Sequence, residues 1–553
     1  MRLTVFWSLV LACQAAFAGP LIAPTAVVAA DNLLASEAGV EILQAGGNAV
    51  DAAIAVGLVL GVVNPFASGL GGGGFLMFRD ASTGEVVALD FRETAPADAD
   101  RNMYLVEGSA DADLSRYGGL AVGVPGEAAG WAAAHERFGV LPWATVIGPA
   151  LRYARDGFAV GQLLEDRLAN ASRLDDYPAL RDHFSLDGQL VTADALFSRP
   201  EYAQTLEALR DQGAAGIYEG WVAEDIVSSV RGAGGIITAD DLASYSPRWM
   251  DPVVSEYRGH TIYGMPAPSS GGLVVASVLR TLENFELSRG AFEDTITAHI
   301  IMQAFSFAFA DRALHLGDPD YWEIPTERFL GDARLLEVLD GYDPVRTLVP
   351  EAYGEILAPP TDDGTSHFSV VDAAGNAAAC TLTVNTSFGS HVLGNTSGIV
   401  FNNEMDDFSA QPGVPNAYGL VGGEANAIQA GKRPLSSMSP TIVVRDGAVV
   451  GVVGGSGGPM IITETVLAIV QMIDFGRDAL EAVSARRFHH QWLPFAVSVE
   501  EADDNPWSPE DLNDFGYAVS PRAFWSAVQV VWSHPDGWQA ASDPRKYGAP
   551  AGY

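Results

Sequence analysis

The chain has 553 residues, 48% hydrophobic and 18% charged, a globular composition with room for a large core and not that of a disordered polymer. A formal net charge of −38 leaves no basic stripe to neutralise phosphate, which argues against nucleic acid or anionic lipid as a partner. Only two lysines occur, Lys432 and Lys546, so nearly all positive charge is arginine.

At the N-terminus, Met1-Arg2, an apolar run from Leu3 to Ala12 and Ala16-Phe17-Ala18-Gly19 give a charged start, an apolar core and a small-x-small site. That pattern predicts a secretory signal cleaved after Ala18, and so a periplasmic or secreted protein. Val10-Leu11-Ala12-Cys13 offers an alternative lipoprotein site. Once the signal is removed Cys380 is the one remaining cysteine, which leaves no intrachain disulfide. Its apolar neighbours make it a small buried hydrophobe.

Apolar spacing predicts helices at Ser36 to Ala45, stopped by Gly46-Gly47-Asn48, and at Ala49 to Val62. The run from Ala52 to Val63 is too short to cross hydrocarbon and reads as a buried helix. Gly69-Leu70-Gly71-Gly72-Gly73-Gly74 formally matches GxGxxG. A dinucleotide site needs a strand before it and a helix after it, and here the order is reversed. Close backbone packing is the better reading. Gly74 to Phe78 and Val86 to Phe91 read as strands around an Asp80-to-Gly84 turn, followed by helices at Gly126 to Arg137, Pro142 to Asp156 and Asp294 to Asp311. Beyond Thr365 strands dominate, with helices at Met460 to Phe475 and near Asp478 to Arg487. Helices flanking a strand-rich core predict one layered α/β unit.

The Gly364-Thr365 bond sits in a polar, turn-rich segment just before an alternating strand, where self-cleavage would make Thr365 an N-terminal residue. Its hydroxyl and its own amine would then form a nucleophile and base within one residue. His367 to Val371 and Ala377 to Asn385 flank the turn Asp372-Ala373-Ala374-Gly375-Asn376. If that turn centres on Ala374, residues equidistant from it face each other, and Thr365 faces Thr383. Opposed side chains lie ~5 Å apart at Cβ, close enough for a hydroxyl–hydroxyl hydrogen bond. Alternation puts Asn385 on the face of Thr383. An ordinary threonine-rich strand explains the same letters.

Further on, Phe401 to Ser409 holds the dense polar cluster Asn402-Asn403-Glu404-Met405-Asp406-Asp407, with no histidine placed to complete a metal site. Arg433-Pro434-Leu435-Ser436-Ser437-Met438-Ser439-Pro440 sets consecutive hydroxyls beside a strand at Thr441 to Arg445. Gly454-Gly455-Ser456-Gly457-Gly458 precedes the Met460 helix, and glycine amides there are disposed toward an anion or an oxyanion.

On these blocks the chain resembles the γ-glutamyltransferases, members of the N-terminal-nucleophile hydrolases. The likeness also takes in Gly46 to Ala53, Asp90-Phe91-Arg92-Glu93-Thr94-Ala95-Pro96, Leu316 to Asp320, Arg487 to Pro494 and Ala541 to Arg545. It implies a four-layer αββα sandwich and an autoprocessed precursor, with a large chain 19–364 and a small catalytic chain 365–553 forming one domain as a heterodimer. Thr365 would be the nucleophile and Gly364-Thr365 the cleavage site, with Thr383 supporting it and Gly457 and Gly458 forming the oxyanion hole. Arg92, Ser436 and Ser437 would hold the donor's α-carboxylate, and Asn385, Glu404 and Asp407 its ammonium. Tyr418 would belong to a covering loop. The implied substrates are glutathione and other γ-glutamyl amides, with water, amino acids or dipeptides as acceptors, and no cofactor or metal. Ser366, Ser456 and Pro459-Met460 depart from the usual family pattern and bear on the acceptor side or the oxyanion geometry. An acylase of the same fold with another donor, or a non-catalytic γ-glutamyl binding protein, are the competing expectations.

Overall fold

The computed structural model describes residues 19–353, 364–411, 423–524 and 526–553. The signal segment with Cys13, and Tyr418, lie outside the described residues. Two seven-stranded antiparallel sheets dominate. Their strands, in chain order, are β1 (Leu21–Ala23), β2 (Val27–Ala30), β3 (Gly73–Arg79), β4 (Val86–Asp90), β5 (Arg248–Met250), β6 (Val253–Tyr257) and β7 (His260–Gly264). The second part supplies β8 (Gly364–Val371), β9 (Ala377–Asn385), β10 (Thr441–Arg445), β11 (Ala448–Ser456), β12 (Ala527–His534), β13 (Gly537–Ser542) and β14 (Ala549–Gly552). One sheet runs β5-β4-β3-β9-β8-β2-β14, the other β1-β13-β12-β11-β10-β7-β6.

Both sheets therefore combine strands from before and after residue 364, and neither half of the chain completes a sheet alone. Strands β5 to β7 are not anticipated by the helical texture of the first part.

Helices cover both outer faces. The first sheet carries α1 (Leu33–Gln44), α2 (Ala49–Val63), α3 (Glu127–Phe138) and α4 (Trp143–Asp156). Here Ile54, Leu58, Trp131 and Ile147 pack with Leu76, Phe368, Val370 and Leu382. The second sheet carries α5 (Gly271–Leu282), α6 (Thr295–His315) and α7 (Met460–Ile473). Val278, Phe305 and Val466 pack there with Val443, Val453 and Val530. Between the sheets Phe75, Met77, Val371 and Ala379 meet Ile442, Val452, Val531 and Ala540. The layers are thus α, β, β, α. Among the described residues no helix is long and apolar enough to cross a membrane.

Local chemistry sets these elements. Asn32 caps α1 by accepting from Leu34 N, so that helix starts before Ser36. Asn48 and Asp51 form a capping box on α2. Asp372 fixes the β8–β9 turn: its Oδ1 accepts from Ala374 N and Asn376 N, while its Oδ2 takes Ala49 N at the start of α2. One carboxylate thus ties the hairpin to the helix behind it.

The four glycines ending the Gly-rich stretch are packing positions. A Cβ on Gly72 would stand 2.0 Å from Thr383 O, and one on Gly71 2.1 Å from Val400 O. Cys380 is buried, as its surroundings predict.

The inter-sheet layer changes character near Thr365. Thr365, His367 and Ser369 on β8, and Thr381 and Thr383 on β9, are all buried polar side chains. Such groups cost free energy unless paired, and the pairs are present. His367 contacts Thr381 Oγ1 at 2.8 Å and Ser369 Oγ at 3.2 Å, and burial holds its pKa down to about 3. Valines here would fill the layer more favourably, so the polar end marks chemistry and not stability.

Candidate active site

Strand register delivers the first pair. Thr365 pairs with Thr383, and the antiparallel ladder continues to Val371 opposite Ala377, as the turn at Ala374 requires. The register slips between Gly364 and Thr365, so Gly364 pairs with Asn385. A Cβ on Gly364 would meet Thr386 C at 2.3 Å and Asn385 O at 2.4 Å. Only glycine fits under that backbone.

The hydroxyl directions follow from counting protons. Thr383 Oγ1 lies 2.7 Å from Gly364 O, which can only accept, so Thr383 donates to it. Thr383 Oγ1 accepts from Asn385 N at 2.8 Å. Thr365 Oγ1, 3.3 Å from Thr383 Oγ1, must then be the donor in that contact. The carbonyl of the 364–365 bond is polarised by one threonine hydroxyl while the other stands beside it.

Arg92, Thr365, Thr383, Asn385, Glu404, Asp407, Ser436, Ser437 and Gly458 line one cavity, with Met438 and Ile461. Asp90 Oδ1 accepts from Arg92 N at 2.9 Å and fixes the end of β4. The Arg92 guanidinium reaches Glu404, Asp407 at 2.5 Å and Pro434 O at 3.3 Å, so it joins the acidic turn to the Ser436–Ser437 segment. Asn402 braces that turn, giving its Nδ2 to Gly71 O and Gly123 O and accepting from Glu404 N. Asn385 ends β9 at φ 76°, an uncommon value for a non-glycine residue, with its Nδ2 on Asn403 O. Burial pushes the Glu404 and Asp407 carboxyls above the usual range, and Arg92 opposes that shift. For Arg92 itself burial lowers the pKa, and the carboxylates of Glu404 and Asp407 more than restore it. Adjacent Glu93 is fully buried with neither oxygen hydrogen-bonded, and burial pushes it upward too.

Gly457 and Gly458 form the turn between β11 and α7, with φ of 131° and 59°. Gly458 reaches the cavity wall, whereas Gly457 packs on Ser526. Ser436 and Ser437 accept from Met438 N and from Arg312, which leaves their hydroxyl protons for an anion.

Arg312 was not legible in the sequence as a site residue. On α6, it is 3% exposed and donates to Ser437 Oγ at 3.2 Å and Ser270 Oγ at 2.9 Å. Among the described residues no carboxylate lies within ion-pair distance of it. The one clue in the letters is an Asp-Arg pair inside the apolar run Ala304 to Ala313. Lys546 and Asp31, on the other side of the nucleophile's backbone, were also missed. A more open cleft lined by Tyr245, Arg248, Asp318 and Arg433 lies behind Arg92. Its Arg248–Asp90 and Arg433–Asp90 ion pairs are scaffolding for β4.

The sequence profile of a family described as gamma-glutamyltranspeptidase matches residues 35–553. A glutathione hydrolase proenzyme of Escherichia coli (strain K12) is 41% identical over 537 residues, covering 95% of this chain and 91% of that protein. A second, from Pseudomonas sp. (strain A14), is 38% identical and covers 97% and 94%. Among solved structures, a cephalosporin acylase from Bacillus halodurans superposes with TM-score 0.84 at 25% identity over 99% of each chain. A Helicobacter pylori gamma-glutamyltranspeptidase chain gives TM-score 0.57 at 38% identity, covering 59% of this chain and 93% of that one.

Proposed function

This chain belongs to the gamma-glutamyltranspeptidase family, and from that premise we propose that Thr365 cuts its own bond to Gly364 and then serves as the nucleophile. The activity is γ-glutamyl transfer with glutathione hydrolysis. The observation that carries the residue assignment is the Gly364 carbonyl held on Thr383 beside the Thr365 hydroxyl, in the wall of a cavity whose other lining residues bear both charge signs.

In maturation the Thr365 oxygen attacks the Gly364 carbonyl carbon and Thr383 stabilises the oxygen that gains charge. The carbon–nitrogen bond breaks as the hydroxyl proton passes to the nitrogen. Water hydrolyses the resulting ester, giving a Gly364 carboxylate and a free Thr365 amine. Chains 19–364 and 365–553 remain paired through the interleaved sheets.

In turnover that amine takes the Thr365 proton, and the oxygen attacks the donor's γ-carbonyl. Gly457 and Gly458 amides receive the oxyanion. The carbon–nitrogen bond breaks as the amine's proton passes to the leaving amine. Water or the amine of an amino acid or dipeptide then takes the acyl group. Arg92, Ser436 and Ser437 bind the donor's α-carboxylate, and Glu404, Asp407 and Asn385 its ammonium, so a zwitterionic glutamyl end exchanges partners with the Arg92 ion pairs. Segment 1–18 directs export. The acylase likeness supports the fold, but the paired charges in this cavity fit a γ-glutamyl donor better. Parallel double-reciprocal lines for donor and dipeptide acceptor are expected; intersecting lines contradict the acyl-enzyme.

Arg312 adds a second cation behind the carboxylate and orients Ser437. Arg312→Met is expected to raise KM for a γ-glutamyl anilide ~10-fold with a much smaller change in kcat. An unchanged KM contradicts this role.

A further inference from the structure

Lys546 is 2% exposed and points at the nucleophile's backbone. Its Nζ donates to Thr365 O at 3.0 Å and to Ser456 Oγ at 2.7 Å. Ser456 Oγ in turn donates to Asp31 Oδ2 at 3.3 Å, and Gln529 Nε2 donates to Asp31 Oδ1 at 2.5 Å. Thr365 lines one cavity with the charged groups Arg92, Glu404 and Asp407, and further titratable groups surround its backbone. Asp31 follows β2, His367 lies on β8 with its backbone N–H on Asp31, and Lys546 ends the turn after β13. Asp543, which begins that turn, is already paired with Arg487 and Arg545.

The Thr365 carbonyl lies on the C-terminal side of the cut, so cleavage leaves the Lys546 contact in place. Covalent geometry puts the Thr365 nitrogen within about 3.6 Å of its own carbonyl oxygen, hence within about 6.6 Å of Nζ. An ordinary α-amine, with a pKa of about 7.7–8.0, is mostly protonated at neutral pH and useless as a base. A fixed cation at that distance disfavours the protonated form.

We propose that Lys546 is a positioning residue for the nucleophile: anchored by Ser456 and Asp31, it holds the Thr365 carbonyl and keeps the adjacent α-amine neutral at physiological pH. This rests on the reading of that amine as the base. A lysine serving only to neutralise Asp31 would stabilise the fold without moving a rate profile. The sign follows from the charges. Without Lys546 the amine's pKa rises, because that cation no longer opposes its proton. Asp31, whose carboxyl burial already pushes upward, adds to that rise if ionised and is silent if protonated.

The test is kcat/KM for hydrolysis of a γ-glutamyl anilide from about pH 5 to about pH 10, in mature wild-type, Lys546→Met and Lys546→Arg proteins. The wild-type acid limb is expected below the ordinary α-amine range. Lys546→Met should move it up by ~1 pH unit, a loss of about tenfold at low pH that shrinks on the alkaline side. Lys546→Arg should keep it near the wild-type position. An unmoved limb in Lys546→Met, or the same loss at every pH, overturns the proposal. Should Lys546→Met fail to mature, the wild-type limb decides: a midpoint at or above the ordinary α-amine value overturns it. A mature chain with no γ-glutamyl turnover at any pH would instead overturn the catalytic reading beneath it.

Discussion

Thr365→Ala is expected to remain one uncut chain, while the wild-type protein separates on a denaturing gel into bands of about 36 and 20 kDa at its mean residue mass. The variant keeps the β8–β9 register, because Thr383 still meets Gly364 O and the ladder does not use the lost hydroxyl. What disappears is the atom that attacks. Hydrolysis of a γ-glutamyl anilide should fall by at least ~10³-fold, since nucleophile and maturation are lost together. Gly364→Ala is the companion. Its methyl group would collide with the backbone of residues 385 and 386, moving the scissile carbonyl off Thr383, so cutting should slow with the nucleophile intact. Normal cutting in Thr365→Ala would place the nucleophile elsewhere.

Arg92→Lys is expected to lower kcat/KM for γ-glutamyl donors ~10²- to 10³-fold, chiefly through KM. Lysine keeps the charge but not the planar fork that spans Glu404, Asp407 and the donor's carboxylate. Arg92→Met is a harsher change. It leaves the buried carboxylates uncompensated and should also cost ~3–5 kcal/mol of stability, so its thermal midpoint must be measured beside its rate. A donor analogue lacking the α-carboxylate separates binding from folding. The wild type should discriminate strongly against it, and Arg92→Lys only weakly. If the two proteins discriminate equally, the site serves another acyl donor.

Much of this site could be read from the letters because its central element is local. A hairpin with a defined turn fixes every pair along it, so Thr365 opposite Thr383 follows from a turn centred on Ala374. The slip at Gly364 did not, because it depends on backbone packed from residues 385 and 386. The Gly-rich stretch was correctly kept from the nucleotide-binding motifs by element order, with α2 before it and β3 after it. Arg312 escaped for a physical reason. The spacing ends its helix at Asp311, whereas α6 continues to His315 and carries Arg312 round to Ser437. In the other direction, the helix expected to reach Arg487 stops at Ser484. That frees Arg487 to pair with Glu464 on α7 and with Asp543, which begins the turn bearing Lys546. Asp31, Ser456 and Lys546 lie far apart in sequence, and no periodicity relates them.

The central claim is that the Gly364-Thr365 bond is the protein's first substrate. Intact mass spectrometry of the purified, matured protein tests it most directly. Two chains are expected, the smaller beginning at Thr365 with a free α-amine. A single uncut chain that still turns over γ-glutamyl donors, or a small chain beginning at any residue other than Thr365, would contradict it.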